Sequence, residues 1–130
     1  MKKILITEDD RQIAAALKIR LTAAGYEVQI VEDGLRSYLR AQTWSPDLIL
    51  MDIFMPTGSG LDVAEVLKDA GLDRIPIIFI TASKREDLRE RAKALNAAGF
   101  FEKPFDTEKL LAAIASALQA KHPTDQPITT

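Results

Sequence analysis

The chain has no cysteine, a single histidine, and only 6% aromatic residues in its 130 positions. Without thiols there is no disulfide framework, no thiolate metal site and no sulfur nucleophile, so any chemistry must use oxygen and nitrogen groups. A reducing cytoplasm is compatible with that composition. An excess of positive charge is also missing. Seventeen Lys and Arg stand against nineteen Asp and Glu, net −2, which leaves no broad basic surface for nucleic-acid phosphates or anionic lipid. No apolar run approaches the roughly 18 residues that cross a bilayer. The start, Met1-Lys2-Lys3-Ile4-Leu5-Ile6-Thr7-Glu8, is basic like a signal peptide but meets acid shortly after three apolar residues, too soon for a secretory core. Direct nucleic-acid binding, membrane insertion and export by that route are therefore not expected.

What is present is the composition of a globular domain, 47% hydrophobic and 28% charged, in a length that suits one domain of roughly 100–200 residues. Four short apolar runs read as strands: Ile4 to Ile6, Val28 to Val31, Leu48 to Met51, and Ile75 to Ile80. Leu48-Ile49-Leu50-Met51 and Ile77-Ile78-Phe79-Ile80 are continuously apolar, the mark of strands buried on both faces of a parallel sheet. Gly99 to Glu102 is a weaker fifth strand, placed by its turn in the alternation. Helical patterns fill the intervals. Residues 10–24 put Ile13, Leu17, Leu21 and Ala24 on one face and stop at Gly25; residues 106–120 do the same with Leu110, Leu111, Ile114 and Leu118 behind the capping candidates Asp106 and Thr107. Segments 34–43, 60–70 and 84–98 are the other helices, with Gly71 and Gly99 as stops. Five β-α repeats predict an α/β fold, a flavodoxin-like three-layer sandwich on a five-stranded parallel sheet of order 2-1-3-4-5. This domain occupies residues 1–120. Residues 121–130, with two prolines and one large apolar residue, are expected to be a flexible tail or linker stump, and His122 within it is not expected to be a ligand.

Ligands in such sheets bind beyond the carboxyl ends of the strands. The first strand delivers Glu8-Asp9-Asp10, the third Asp52, the fourth Thr81 and Ala82, the fifth Lys103-Pro104. If strands one and three are neighbours, Glu8, Asp9 and Asp52 converge. Two unit charges about 4 Å apart repel by roughly 4 kcal/mol at an effective dielectric near 20, so such a cluster needs a cation. Hard oxygen ligands without His or Cys suit Mg2+, or Mn2+, and leave coordination positions open for a phosphate. Beside that ion Asp52 is placed to attack phosphorus, with Lys103 and Thr81 on the phosphoryl oxygens.

At these residues the sequence resembles the receiver domain of two-component response regulators, the family of the single-domain chemotaxis receiver. The resemblance runs from about Lys2 to Gln119 and rests on Ile4 to Asp10, on Pro46 to Pro56 with Gly60, on Ile80-Thr81-Ala82 and on Lys103-Pro104-Phe105, in that order. It implies that Asp52 is the phosphoacceptor, that Asp9 ligates Mg2+ directly, Glu8 through water and Phe54 through its backbone carbonyl, and that Thr81 and Lys103 sense the phosphate. It also implies a cis bond at Lys103-Pro104. Phe100 takes the place of the aromatic that moves with the threonine on activation; lacking a hydroxyl, it would couple by packing alone. The implied partners are a sensor histidine kinase or phosphotransfer protein, and an output domain, partner protein or second copy on the face of the fourth helix, fifth strand and fifth helix. The resemblance implies a signalling module that catalyses only its own phosphorylation and dephosphorylation.

Plainer readings stand beside these. Asp10 is a helix cap, and Phe100 as core filling is the alternative to a switch. Thr57-Gly58-Ser59-Gly60 resembles a phosphate cradle but lacks a Walker lysine and is read as a turn into the third helix. The charge run Lys84 to Lys93 is read as a solvated helix face carrying an Asp87-Arg91 pair, with partner docking as the alternative, and Trp44 as a packing residue. Two other function classes compete: a Mg2+-dependent aspartyl-phosphate phosphatase of haloacid dehalogenase type, whose second Asp is replaced here by Phe54, and a binding module independent of phosphorylation.

Overall fold

The apolar runs fold as strands and the periodic segments between them as helices. The computed structural model describes residues 1–56 and 58–120. In chain order these form β1 (Lys3–Thr7), α1 (Arg11–Ala23), β2 (Glu27–Val31), α2 (Gly34–Trp44), β3 (Leu48–Asp52), the hairpin β4 (Phe54–Met55) and β5 (Gly58–Ser59), α3 (Gly60–Asp69), β6 (Ile77–Thr81), α4 (Glu86–Ala94), β7 (Gly99–Glu102) and α5 (Thr107–Gln119). The five main strands make one parallel sheet of order β2-β1-β3-β6-β7, the expected flavodoxin-like arrangement. Among the described residues no helix is long and apolar enough to cross a membrane. The expected tail and His122 lie outside the described residues.

Alternation along the strands sorts the core into two halves, because successive side chains leave opposite faces of a sheet. Ile4, Ile6, Leu48, Leu50, Ile78 and Ile80 face Ala14, Leu17 and Leu21 of α1 and Leu110 and Ile114 of α5. Leu5, Ile49, Met51 and Phe79 face Ala41 of α2, Leu61, Ala64 and Leu67 of α3, and Leu88 and Ala92 of α4. The doubly covered sheet is the reason the central runs are apolar without interruption.

Helix ends follow local chemistry. Asp10, Asp33, Ser59 and Asp106 each accept first-turn N–H groups with their side chains. Gly25 at φ +97° and Gly71 at φ +79° take the left-handed conformation just past α1 and α3, as their positions predict. Three local expectations are corrected. The fourth helix is shorter than residues 84–98: it ends because Asn96 adopts φ +60° and the Ala97 N–H reaches back to the Ala92 carbonyl, a left-handed stop that Asn tolerates without Gly. Ala24 is exposed at the end of α1, and Ala14 fills the core instead. Asp87 pairs with Arg85, while Arg91 crosses to Asp62 and Glu65 on α3, since a tertiary carboxylate pair outcompetes the intrahelical partner. Trp44 packs, as expected, against the core, with the Lys3 ammonium 5.5 Å from its ring.

Candidate functional site

Strand register brings the polar residues to one rim. Thr7 pairs with Met51, Asp52 with Ile80, and Thr81 with Glu102, so β1, β3, β6 and β7 end within two residues of one another and release Glu8, Asp9, Asp52, Thr81 and Lys103 at the same edge. The convergence assumed from strand order is present: carboxylate oxygens of Glu8, Asp9 and Asp52 all lie within 4.8 Å of one another.

The three acids differ in environment. Glu8 is buried; its backbone N–H donates to the Val31 carbonyl, and its Oε2 accepts the Asp10 N–H at 3.2 Å. Asp52 is 4% exposed, whereas Asp9 faces solvent. The Lys103 ammonium lies 2.8 Å from Oε1 of Glu8 and 3.4 Å from Oδ2 of Asp52. Lys103 precedes Pro104 through a cis peptide bond, as the resemblance implies.

Burial, reinforced by the contact with Glu8 and its charge, pushes the Asp52 carboxyl up to about 7 against the pull of Lys103. Burial alone would lower the Lys103 ammonium, but Glu8 and Asp52 outweigh it and hold it above its ordinary value. With all three carboxylates ionised, one ammonium would leave two negative charges in excess, which a divalent cation would balance. Oε1 of Glu8 is buried, and the cation beside it is the Lys103 ammonium at 2.8 Å. Hard oxygen donors of this kind suit Mg2+ or Mn2+.

The surrounding chain holds Asp52 in place. The Gly60 N–H donates to the Ile53 carbonyl at 2.7 Å, and a Cβ on Gly60 would collide with the Asp52 carbonyl oxygen and with Met51 Cγ. Close approach is thus the reason for glycine there. The segment before it forms the β4-β5 hairpin, pairing Phe54 with Ser59, which strand periodicity did not anticipate. Ser59 caps α3 by accepting the Leu61 N–H, so this stretch feeds a helix, as read from the sequence; Thr57 lies outside the described residues. Phe54 sits two residues past Asp52 with its side chain 48% exposed.

Thr81 is fully buried at the end of β6, and its hydroxyl accepts the Ser83 N–H at 3.1 Å. Phe100 is half-buried against the core on the α4 side of the sheet. Sequence reasoning missed two neighbours of this machinery. Arg89, read only as part of a charged helix face, stands 4.5 Å over the Phe100 ring and 3.6 Å from Glu102. Beneath the rim the buried Thr7 hydroxyl donates to Ser37 Oγ at 2.9 Å. Neither contact leaves a local signal, because each joins residues of different elements.

Residues 4–115 match the family described as the response regulator receiver domain. The response regulator MprA of Mycobacterium sp. (strain KMS) is 33% identical over 127 residues, covering 96% of this chain and 54% of that protein. The chain spans about half the length of the curated relatives it matches. Among solved structures, the signal receiver domain of a modulated diguanylate cyclase from Desulfovibrio desulfuricans G20 is similar at 36% identity and a TM-score of 0.79, over 91% of this chain and 94% of that one. The chemotaxis response regulator CheY4 of Vibrio cholerae matches at 29% identity and a TM-score of 0.82, over 90% of this chain and 98% of that one.

Proposed function

The chain belongs to the response regulator receiver domain family, and from that premise we propose that it is a signalling module switched by phosphorylation of Asp52. The observation that carries the reading is the pairing of a buried Asp52 with Lys103 at 3.4 Å, inside a cluster of three carboxylates. A histidine kinase or phosphotransfer protein supplies the phosphoryl group. An Asp52 carboxylate oxygen forms the bond to phosphorus as the bond from phosphorus to the donor's imidazole nitrogen breaks; the imidazole leaves with the electron pair and takes up a proton. No general base is needed, because a carboxylate is already the nucleophile.

Glu8, Asp9, Asp52 and the backbone carbonyl of Phe54 are the residues to hold Mg2+ or Mn2+. When bound, the ion supplies positive charge against the phosphoryl oxygens. Lys103 pairs with one of those oxygens and Thr81 donates to another after releasing the Ser83 N–H. The acyl phosphate adds about −1.5 to −2 charges to the rim, and the movement of Thr81 opens space into which Phe100 turns. That repacking alters the outer face of α4, β7 and α5, where an output domain, a partner protein or a second copy docks. The curated relatives are about twice as long, which supports an output segment elsewhere in such proteins. The chain modifies itself and turns over no external substrate; Phe54 stands where a haloacid dehalogenase-type phosphatase has its acid/base.

The test is intact-mass measurement after incubation with Mg2+ and acetyl phosphate, for the parent and Asp52→Asn. The expected result is a gain of one phosphoryl group that the substitution abolishes. Sustained donor hydrolysis would point to the phosphatase, and an unchanged mass to a module independent of phosphorylation.

A further inference from the structure

α4 lies on the sheet with little apolar anchorage. Only Leu88 and Ala92 of the helix are buried, and its N-cap residue Arg85 accepts none of the first-turn backbone N–H groups with its side chain. Two arginines flank it. Positions 89 and 91 are separated by about 200° around a helix, so their side chains leave opposite flanks. Arg91 reaches α3, 2.5 Å from Asp62 and 2.8 Å from Glu65. Arg89 reaches β7, where its guanidinium stands 4.5 Å from the centre of the Phe100 ring and 3.6 Å from Glu102.

Phe100 and Glu102 are two residues apart on one strand and so share a face. Glu102 is also the register partner of Thr81. One planar cation therefore spans the aromatic that would turn and the strand neighbour of the hydroxyl that would sense the phosphate. We propose that Arg89 is a positioning residue for the switch, holding the Phe100 ring in its present orientation and setting how strongly the outer face resists a ligand at Asp52. The inference rests on the phosphoacceptor reading of Asp52. For the ring to turn toward Thr81 it must leave the guanidinium and lose a cation–π contact. A ligand that prefers the turned state binds through the fraction of molecules already in it, so weakening the hold on Phe100 tightens apparent binding.

The experiment uses the full chain with Mg2+ and beryllium fluoride, an inorganic phosphoryl analogue, in calorimetric titrations. It is paired with aromatic NMR of phenylalanine-labelled protein before ligand is added. Arg89→Ala is expected to bind roughly two- to five-fold more tightly than the parent, with the ligand-free Phe100 signal displaced toward its bound position. Arg89→Lys, which keeps the charge but not the planar fork, falls between them. Arg91→Ala, which frees the other flank, leaves both readouts at parent values. Unchanged affinity and an unmoved Phe100 signal in Arg89→Ala would overturn the inference, as would an equal effect from Arg91→Ala. If the parent itself does not bind, or if Asp52→Asn still does, the phosphoacceptor reading is lost and this inference with it; parent binding that ignores Arg89 removes the inference alone.

Discussion

The Lys103 ammonium stands 2.8 Å from Oε1 of Glu8, joining the chain just past β7 to the chain just past β1 across the ends of β6 and β3. Glu8 is buried and Lys103 nearly so, with 17% of its side chain exposed. This contact and the one to Asp52 put a single cation between two desolvated acids, where removal of one partner is far more costly than at the surface.

Lys103→Ala is accordingly expected to lower unfolding free energy by roughly 3–5 kcal/mol near pH 8, because it leaves two buried carboxylates without their cation. Lys103→Met, which keeps the stem, loses nearly as much. Urea unfolding of the three proteins measures it; a loss no larger than that of an exposed ion pair, under about 1 kcal/mol, contradicts the geometry.

Asp52 gives the metal-free protein a pH dependence of definite sign. Its folded-state carboxyl titrates at about 7 instead of 3.8, so between those values the folded state holds the proton that the unfolded state has released. The associated stability is complete below pH 4 and is lost as pH rises through 7. Asp52→Asn removes the penalty and should be more stable than the parent at pH 8 in EDTA, by an amount on the order of 4 kcal/mol at most. The difference vanishes toward pH 4. Thermal unfolding at the two pH values decides it, and an Asn variant weaker than the parent at pH 8 counts against a raised Asp52.

Mg2+ should stabilise the parent at pH 8 through the same cluster. At a concentration about a hundredfold above its dissociation constant the gain is roughly 2.7 kcal/mol. Asp9 is exposed, so Asp9→Asn should fold normally yet lose most of this gain. Equal stabilisation of parent and variant by Mg2+ in thermal melts would place the ion elsewhere.

Gly60→Ala tests how the backbone of Asp52 is seated. Its new methyl meets the Asp52 carbonyl oxygen and Met51 Cγ, and a strand carbonyl has little room to yield. A loss of roughly 1–3 kcal/mol is expected, with slower phosphoryl uptake from acetyl phosphate as Asp52 shifts. A variant that matches the parent in both measurements would mean that α3 can retreat without disturbing the rim.

The repeating β-α pattern was legible because its signals are local. The uninterrupted run Leu48 to Met51, the left-handed glycines 25 and 71, and the caps Asp10 and Asp106 each act within a few residues. The family motifs carried the candidate site for the same reason: each acid and Thr81 closes a strand that is recognisable by itself, while Lys103 closes the one placed by its turn in the alternation. Where expectation and structure part, a competing partner lies outside the segment. Asp87 and Arg91 have suitable helical spacing, yet Arg91 finds two carboxylates on α3. Asn96 ends α4 three residues ahead of Gly99, because Asn also tolerates positive φ.

The amino-acid order by itself thus determined the five main strands, the five helices and the polar residues that follow the strands, since propensity, capping and two-residue alternation are short-range. Tertiary structure alone decided that β1 and β3 end within one residue of each other, that Lys103 is shared by Glu8 and Asp52, and that Arg89 covers Phe100. Those contacts depend on strand order and on which flank of a helix meets which neighbour, and an amphipathic pattern is the same for several orders.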